Sequence, residues 1–147
     1  MQIKLFDTKC LPRKSNPNDA AMDVFAREET EWYMIGGMWR CNVPLGFAIE
    51  CPREYGILIM SRSGMGRDES VTLVNSVGLG DRSFGANEYG VMLIKTAITS
   101  LVQPPNIMQY QKIAQIAKVH MPEMVFDIVD DFEVANEKGG FGSSGKF

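Results

Sequence analysis

A chain of 147 residues, 45% hydrophobic and 22% charged, is long enough for one domain with a core of its own. Its net charge of −3 argues against a general nucleic-acid binder, which needs a basic surface to displace counterions. No run approaches the ~18 apolar residues of a membrane span, and Lys4 and Asp7 interrupt the first apolar run, so neither membrane anchor nor secretory leader is expected. Cys10, Cys41 and Cys51 form no C-x-x-C pair, so free thiols in a reducing cytoplasm are expected. His120 has no Cys or His partner at ligand spacing and reads as a structural or exposed residue.

In chain order, short β-like runs fall at residues 3–6, 22–26, 45–50, 55–60, 71–74, 89–94, 113–119 and 125–129. Turn residues separate them: Pro12, Asn16-Pro17-Asn18, Gly36-Gly37, Pro44, Cys51-Pro52, Gly64, Gly78, Gly80 and Pro104-Pro105. Helical periodicity never lasts three turns, and at most a short helix follows Gly64. The pattern predicts an all-β sandwich, barrel or jelly roll. No repeat or linker divides the chain. One domain over residues 1–134 is expected, followed by a Gly-rich arm over 135–147 that is too poor in apolar side chains to order itself.

Four polar clusters interrupt the strands. Asn18-Asp19-Ala20-Ala21-Met22-Asp23 reads alone as a capped turn before a strand. Ser61-Arg62-Ser63-Gly64 follows an apolar strand, where exposed amides and a guanidinium suit phosphate oxygens. Residues 75–90, from Asn75 through Gly78, Gly80, Asp81 and Phe84, read as a Gly-punctuated hairpin with a carboxylate able to take a proton from water. In Lys112-Ile113-Ala114-Gln115-Ile116 the cation and the amide alternate, so Lys112 and Gln115 are expected on opposite faces. The arm adds Gly139-Gly140-Phe141-Gly142-Ser143-Ser144-Gly145, an aromatic and two hydroxyls among glycines.

In this order, the clusters resemble the five motifs of the trimeric dUTP pyrophosphatase (dUTPase) family. Ala20–Ala26 is similar to A-G-x-D-L-x-A, Ser61–Gly64 to P-R-S-G, and Asn75–Phe84 to N-x-x-G-x-I-D-x-x-Y. Lys112–Gln115 is similar to R-I-A-Q, and Gly139–Gly145 to G-G-F-G-S-T-G. The resemblance implies a distorted jelly-roll subunit, a homotrimer with sites at subunit interfaces, and Mg²⁺-assisted hydrolysis of dUTP to dUMP and pyrophosphate. It gives Asp81 the attacking water, and Phe84 the deoxyribose. Asn75 and backbone around Gly78 take the uracil edge, and Arg62, Ser63, Gly64 and Gln115 the phosphates. Phe141 covers the base, Gly142, Ser143 and Ser144 close on the phosphates, and Asp23 supports the site from behind. Mg²⁺ is held in the family by the triphosphate and waters, with no protein ligand.

Departures from the motifs carry expectations too. Ser61 in place of Pro loosens its turn, Phe84 keeps the ring of the usual Tyr without its hydroxyl, and Lys112 keeps the charge of Arg without the fork. Asn136 stands where an Arg normally precedes the Gly run, leaving Lys138 or Lys146 as the arm's cation. Two rivals remain at this stage: a dCTP deaminase-like enzyme, whose hairpin strand would carry a Glu, and a nucleotide-binding regulatory protein without turnover.

Overall fold

The computed structural model describes residues 1–95 and 102–130. Ten strands and one α-helix appear among them. They are β1 Gln2–Leu5, β2 Met22–Phe25, β3 Tyr33–Ile35, β4 Met38–Pro44, β5 Phe47–Glu50, β6 Tyr55–Ser61, helix α1 Ser63–Glu69, β7 Val71–Leu73, β8 Val77–Gly80, β9 Gly90–Lys95 and β10 Lys112–His120. The strands form two four-stranded sheets, ordered β2-β10-β6-β8 and β3-β4-β9-β7, and a two-stranded sheet, β1-β5. Every pairing is antiparallel. The fold is the all-β, jelly-roll-like class expected, with little helix.

Alternation along the strands places the core between the sheets. In β4, Cys41 and Val43 point inward while Asn42 faces out; in β9, Val91 and Leu93 are buried and Met92 is exposed. Ile57, Ile59, Ile113 and Ile116 meet them from the opposite sheet, with Phe47 and Trp32 filling the ends. All three cysteines are buried and unbridged, and burial pushes the Cys41 thiol up to about 11.

Several elements differ from the sequence expectations. Strands β3 and β4 form a hairpin over a stretch read as a connection. Gly36 and Gly37 take φ of 59° and 77°, the left-handed pair that a two-residue turn needs to match strand twist. Residues 125–129, expected as a strand, make no ladder; Val125, Phe126 and Ile128 are 82%, 79% and 99% exposed. Residues 75–90 are not a paired hairpin. Strand β8 pairs with β6 and β9 pairs with β4 and β7, so the chain crosses from one sheet to the other between them. The short helix, expected after Gly64, begins two residues earlier, at Ser63.

Candidate active site

Asp23 is the one buried charged residue among those described, 3% exposed in β2. Its carboxylate gathers groups distant in sequence. Ser15 Oγ donates at 2.6 Å and Gln115 Nε2 at 3.3 Å, and Lys112 Nζ lies 2.9 Å away. Arg62 Nε stands 3.3 Å from Oδ1 as an ion pair without hydrogen-bond alignment. Lys112 Nζ also bonds Ser15 Oγ at 2.6 Å, and Arg62 Nη1 donates to the Lys112 carbonyl at 3.2 Å. Burial pushes the Asp23 carboxyl up, but the Ser15, Lys112 and Gln115 contacts outweigh it and hold the group below its ordinary value. One carboxylate against two cations leaves the cluster with a surplus positive charge.

The convergence of Lys112 and Gln115 corrects the expectation of opposite faces. The β2–β10 register shifts between Lys112 and Ala114, an irregularity that breaks strict alternation. Gln115 then pairs across the ladder with Asp23 itself, while Lys112 swings to the same carboxylate.

Arg62 follows β6 and stands at the N-cap of α1, where its side chain makes no capping bond. The amides of Ser63, Gly64 and Met65 precede the helix's first hydrogen bond, from Gly66 N to the Arg62 carbonyl at 3.1 Å. Ser61, expected to loosen this turn, ties it instead: its hydroxyl meets Thr72 Oγ1 at 2.9 Å and accepts from Leu73 N at 3.0 Å.

Asp81 follows β8 and opens a 3-10 turn, Arg82–Phe84. The Ser83 hydroxyl and the Ser83 amide both donate to Asp81 Oδ1, and these bonds hold the carboxyl below its ordinary value. It is ionised at neutral pH. Phe84 is 36% exposed and leans on Tyr89, ring centroids 4.8 Å apart. Asn75 and Gly78 line one cleft of about 260 Å³ with Ile59, Leu73, Gly90 and Val91. That cleft lies where β8 and β9 part company, in space a continuous hairpin ladder would have closed.

The structure does not bring all these groups together on one chain. Gly80 stands opposite Ile57, four residues from Ser61 along β6. Asp81 and Arg62 each lie one residue beyond that span, so at ~3.3 Å per residue they stand roughly 20 Å apart. Phe141, Gly142, Ser143, Ser144 and Asn136 lie outside the described residues.

Sequence reasoning passed over Ser15, and it matched Glu88 to the Glu that ends the third motif without assigning it a partner. Ser15, with no motif to mark it, bridges Lys112 and Asp23. Glu88 accepts from Gly46 N at 2.8 Å and lies 3.0 Å from Arg27 Nε, so its carboxylate is engaged within the subunit.

An all-β fold with polar clusters at strand ends is the class this geometry defines. The dUTPase family model matches residues 7–145. The deoxyuridine 5'-triphosphate nucleotidohydrolase of Thiobacillus denitrificans is 32% identical, the match covering 99% of both chains. The dUTPase of Staphylococcus bacteriophage 80alpha, in a structure with dUpNHpp, superposes with a TM-score of 0.78 at 20% identity, covering 98% of this chain and 97% of that one. A dUTPase from S. aureus phage phi11, described with a structural Mg(II) ion, gives 0.75 at 19%, covering 90% and 98%. The chain belongs to the dUTPase family.

Proposed function

We propose that this protein hydrolyses dUTP to dUMP and pyrophosphate. The observation that carries the reading is the meeting of three motifs at Asp23, which leaves surplus positive charge beside the first turn of α1. A triphosphate supplies the anion such a cluster is short of.

In this reading Asp81, ionised, accepts a proton from a water whose oxygen attacks the α-phosphorus. The bond from that phosphorus to the bridging oxygen breaks, and pyrophosphate leaves. Arg62, the amides of Ser63 and Gly64, and the free part of the Gln115 amide hold the phosphates. Asn75 and backbone around Gly78 read the uracil edge in the cleft between β8 and β9, and Phe84 stacks on the deoxyribose. Phe141, Gly142, Ser143 and Ser144 close from the arm. Among the described residues no cluster of three or more His, Cys, Asp or Glu offers a cage for a metal. In this reading Mg²⁺ would be held by the triphosphate and waters, and would neutralise part of the phosphate charge.

A base must lie within hydrogen-bond reach of its water. With Asp81 and Arg62 roughly 20 Å apart on one chain, each is paired in this reading with a neighbour's counterpart in a homotrimer. Two exposed apolar surfaces support that assembly: Val77 and Leu79 on the outer face of β8, 50% and 52% exposed, and the unpaired segment 124–129. No described helix is long and apolar enough to cross a membrane, and the unbridged buried thiols fit the cytoplasm.

Deamination is the weaker reading. Strand β9, Gly90–Lys95, carries no carboxylate, and Glu88 beside it is engaged by Gly46 and Arg27. Incubation with Mg²⁺ and dUTP, dCTP, UTP or dTTP decides the matter. Pyrophosphate from dUTP alone is expected; ammonia from dCTP, or no pyrophosphate from dUTP, overturns the proposal.

A further inference from the structure

The inward positions of β8 are both glycine, since Val77 and Leu79 face out while Gly78 and Gly80 face in. Gly80 is the less replaceable of the two. A methyl group there would overlap Tyr89 Cε1 and Oη and lie 2.7 Å from Cζ. The ring of Tyr89 thus occupies the volume that any side chain at position 80 would need. The family's third motif usually has Ile at this place, one residue before its Asp.

Tyr89 is 1% exposed and sits in a column of three rings running from core to surface. Below it Phe47, fully buried, stacks at 5.4 Å and 20°. Above it Phe84 tilts at 4.8 Å and 54°. The backbone of Tyr89 is pinned as well: its N–H donates to the Phe47 carbonyl and its carbonyl accepts from Leu45 N, each at 2.8 Å. The turn it supports is held by short-range bonds of its own, Phe84 N to the Asp81 carbonyl at 3.2 Å and Asn87 Nδ2 to the Phe84 carbonyl at 2.8 Å. Such bonds shape a turn without placing it on the body of the protein. Placement requires a rigid surface beneath, and the Tyr89 ring touches both ends of the short segment from Gly80 to Phe84.

We propose that Tyr89 is a positioning residue: packed into the space left by Gly80 and against the underside of Phe84, its ring sets where the Asp81 carboxylate and the Phe84 face stand. It acts through those residues and touches no substrate. The Tyr89 hydroxyl is buried with no hydrogen-bond partner among the described residues, so the ring rather than the oxygen does the positioning. The proposal rests on the assignment of Asp81 and Phe84 to dUTP hydrolysis.

The test compares Tyr89→Leu, Tyr89→Phe, Gly80→Ala and the double variant Gly80→Ala/Tyr89→Leu in the full chain, at a temperature where thermal melts show each to be folded. Tyr89→Leu is expected to lower kcat roughly 10- to 100-fold, the scale set by misplacing a catalytic group by about 1 Å, with a smaller change in KM. Tyr89→Phe restores the rate, because it keeps the ring. Gly80→Ala alone also lowers kcat by displacing the ring. The double variant recovers part of the loss, since a smaller side chain at 89 makes room for the methyl at 80. Amide hydrogen exchange supplies an arm independent of turnover: Ser83, Phe84 and Gly85 exchange faster in Tyr89→Leu, while β6 does not. A folded Tyr89→Leu with kcat within twofold of the parent and unchanged exchange at residues 83–85 overturns the proposal, as do losses in the two single variants that simply add. A parent chain that turns over no dUTP defeats the functional assignment instead, and the exchange arm still decides whether Tyr89 holds the turn.

Discussion

Lys112 and Gln115 lie on one strand at positions that strict alternation would aim apart, yet both reach Asp23, Nζ at 2.9 Å from Oδ2 and Nε2 at 3.3 Å from Oδ1. The carboxylate neutralises one of the two cations beside it and fixes the orientation of both. Its value to the fold lies in that pairing, since a lone buried charge costs free energy.

Asp23→Asn keeps the shape and removes the charge. The loss is expected to be about 1–3 kcal/mol at pH 7, below the cost of stranding fully buried charges because Lys112 and Arg62 are partly exposed. The folded carboxyl lies below its ordinary value, so its contribution is complete above the unfolded pKa of ~3.9. It disappears as pH falls through the lower folded value. Urea unfolding of parent and variant should therefore diverge at neutral pH and converge in acid. Equal midpoints at pH 7 would remove Asp23 from this role.

Asp81→Asn is expected to bind a dUTP analogue normally and lose roughly 10²- to 10⁴-fold in kcat, the usual contribution of a positioned base. Ser83→Ala tests the same site by pH. The Ser83 hydroxyl is the largest influence lowering the Asp81 pKa, so its removal moves the acid limb of kcat/KM to higher pH. The backbone bond from Ser83 N remains, and the limb stays below its ordinary position. An acid limb that does not move would show that another group is being titrated.

A chain truncated after Lys138 loses the arm that carries Phe141, Ser143 and Ser144. It should keep its assembly state and melting temperature while turnover falls steeply. A segment that orders on binding meets its entropy cost only when ligand contacts offset it, which is the role proposed for the arm. Full activity in the truncated chain would refute the arm's role.

The strands between Met22 and His120 were largely readable because β-branched and aromatic runs fall between turn residues, and the ordered motifs pointed to the family and to residues that meet at Asp23. The misreadings have physical causes. The Gly36-Gly37 turn is flanked by Tyr33-Met34-Ile35 and Met38-Trp39, too uniformly apolar to show a period of two. Residues 125–129 have the composition of a strand, but a strand needs a partner edge and none of the described strands supplies one. The bulge at Lys112 left no mark in residue types, so alternation carried Lys112 and Gln115 to opposite faces. Pairing of β8 with β6 instead of β9 is a tertiary choice, made possible where Gly78 and Gly80 let Ile59 and Tyr89 come close.

The separation of Asp81 from Arg62 yields the sharpest prediction. If each site takes its base from one subunit and its phosphate cluster from another, two inactive variants can complement. Arg62→Ala and Asp81→Asn should each be nearly inactive alone. Unfolded together and refolded as a mixture, they should recover about one quarter of parental activity, because random assembly of a closed oligomer joins two intact halves at about that fraction of its sites. Sedimentation of the parent should give a trimer, and the mixed sample must match it. A monomeric parent, or a mixed trimer no more active than its separate components, would mean that one chain brings Asp81 and Arg62 together by a movement of the turn.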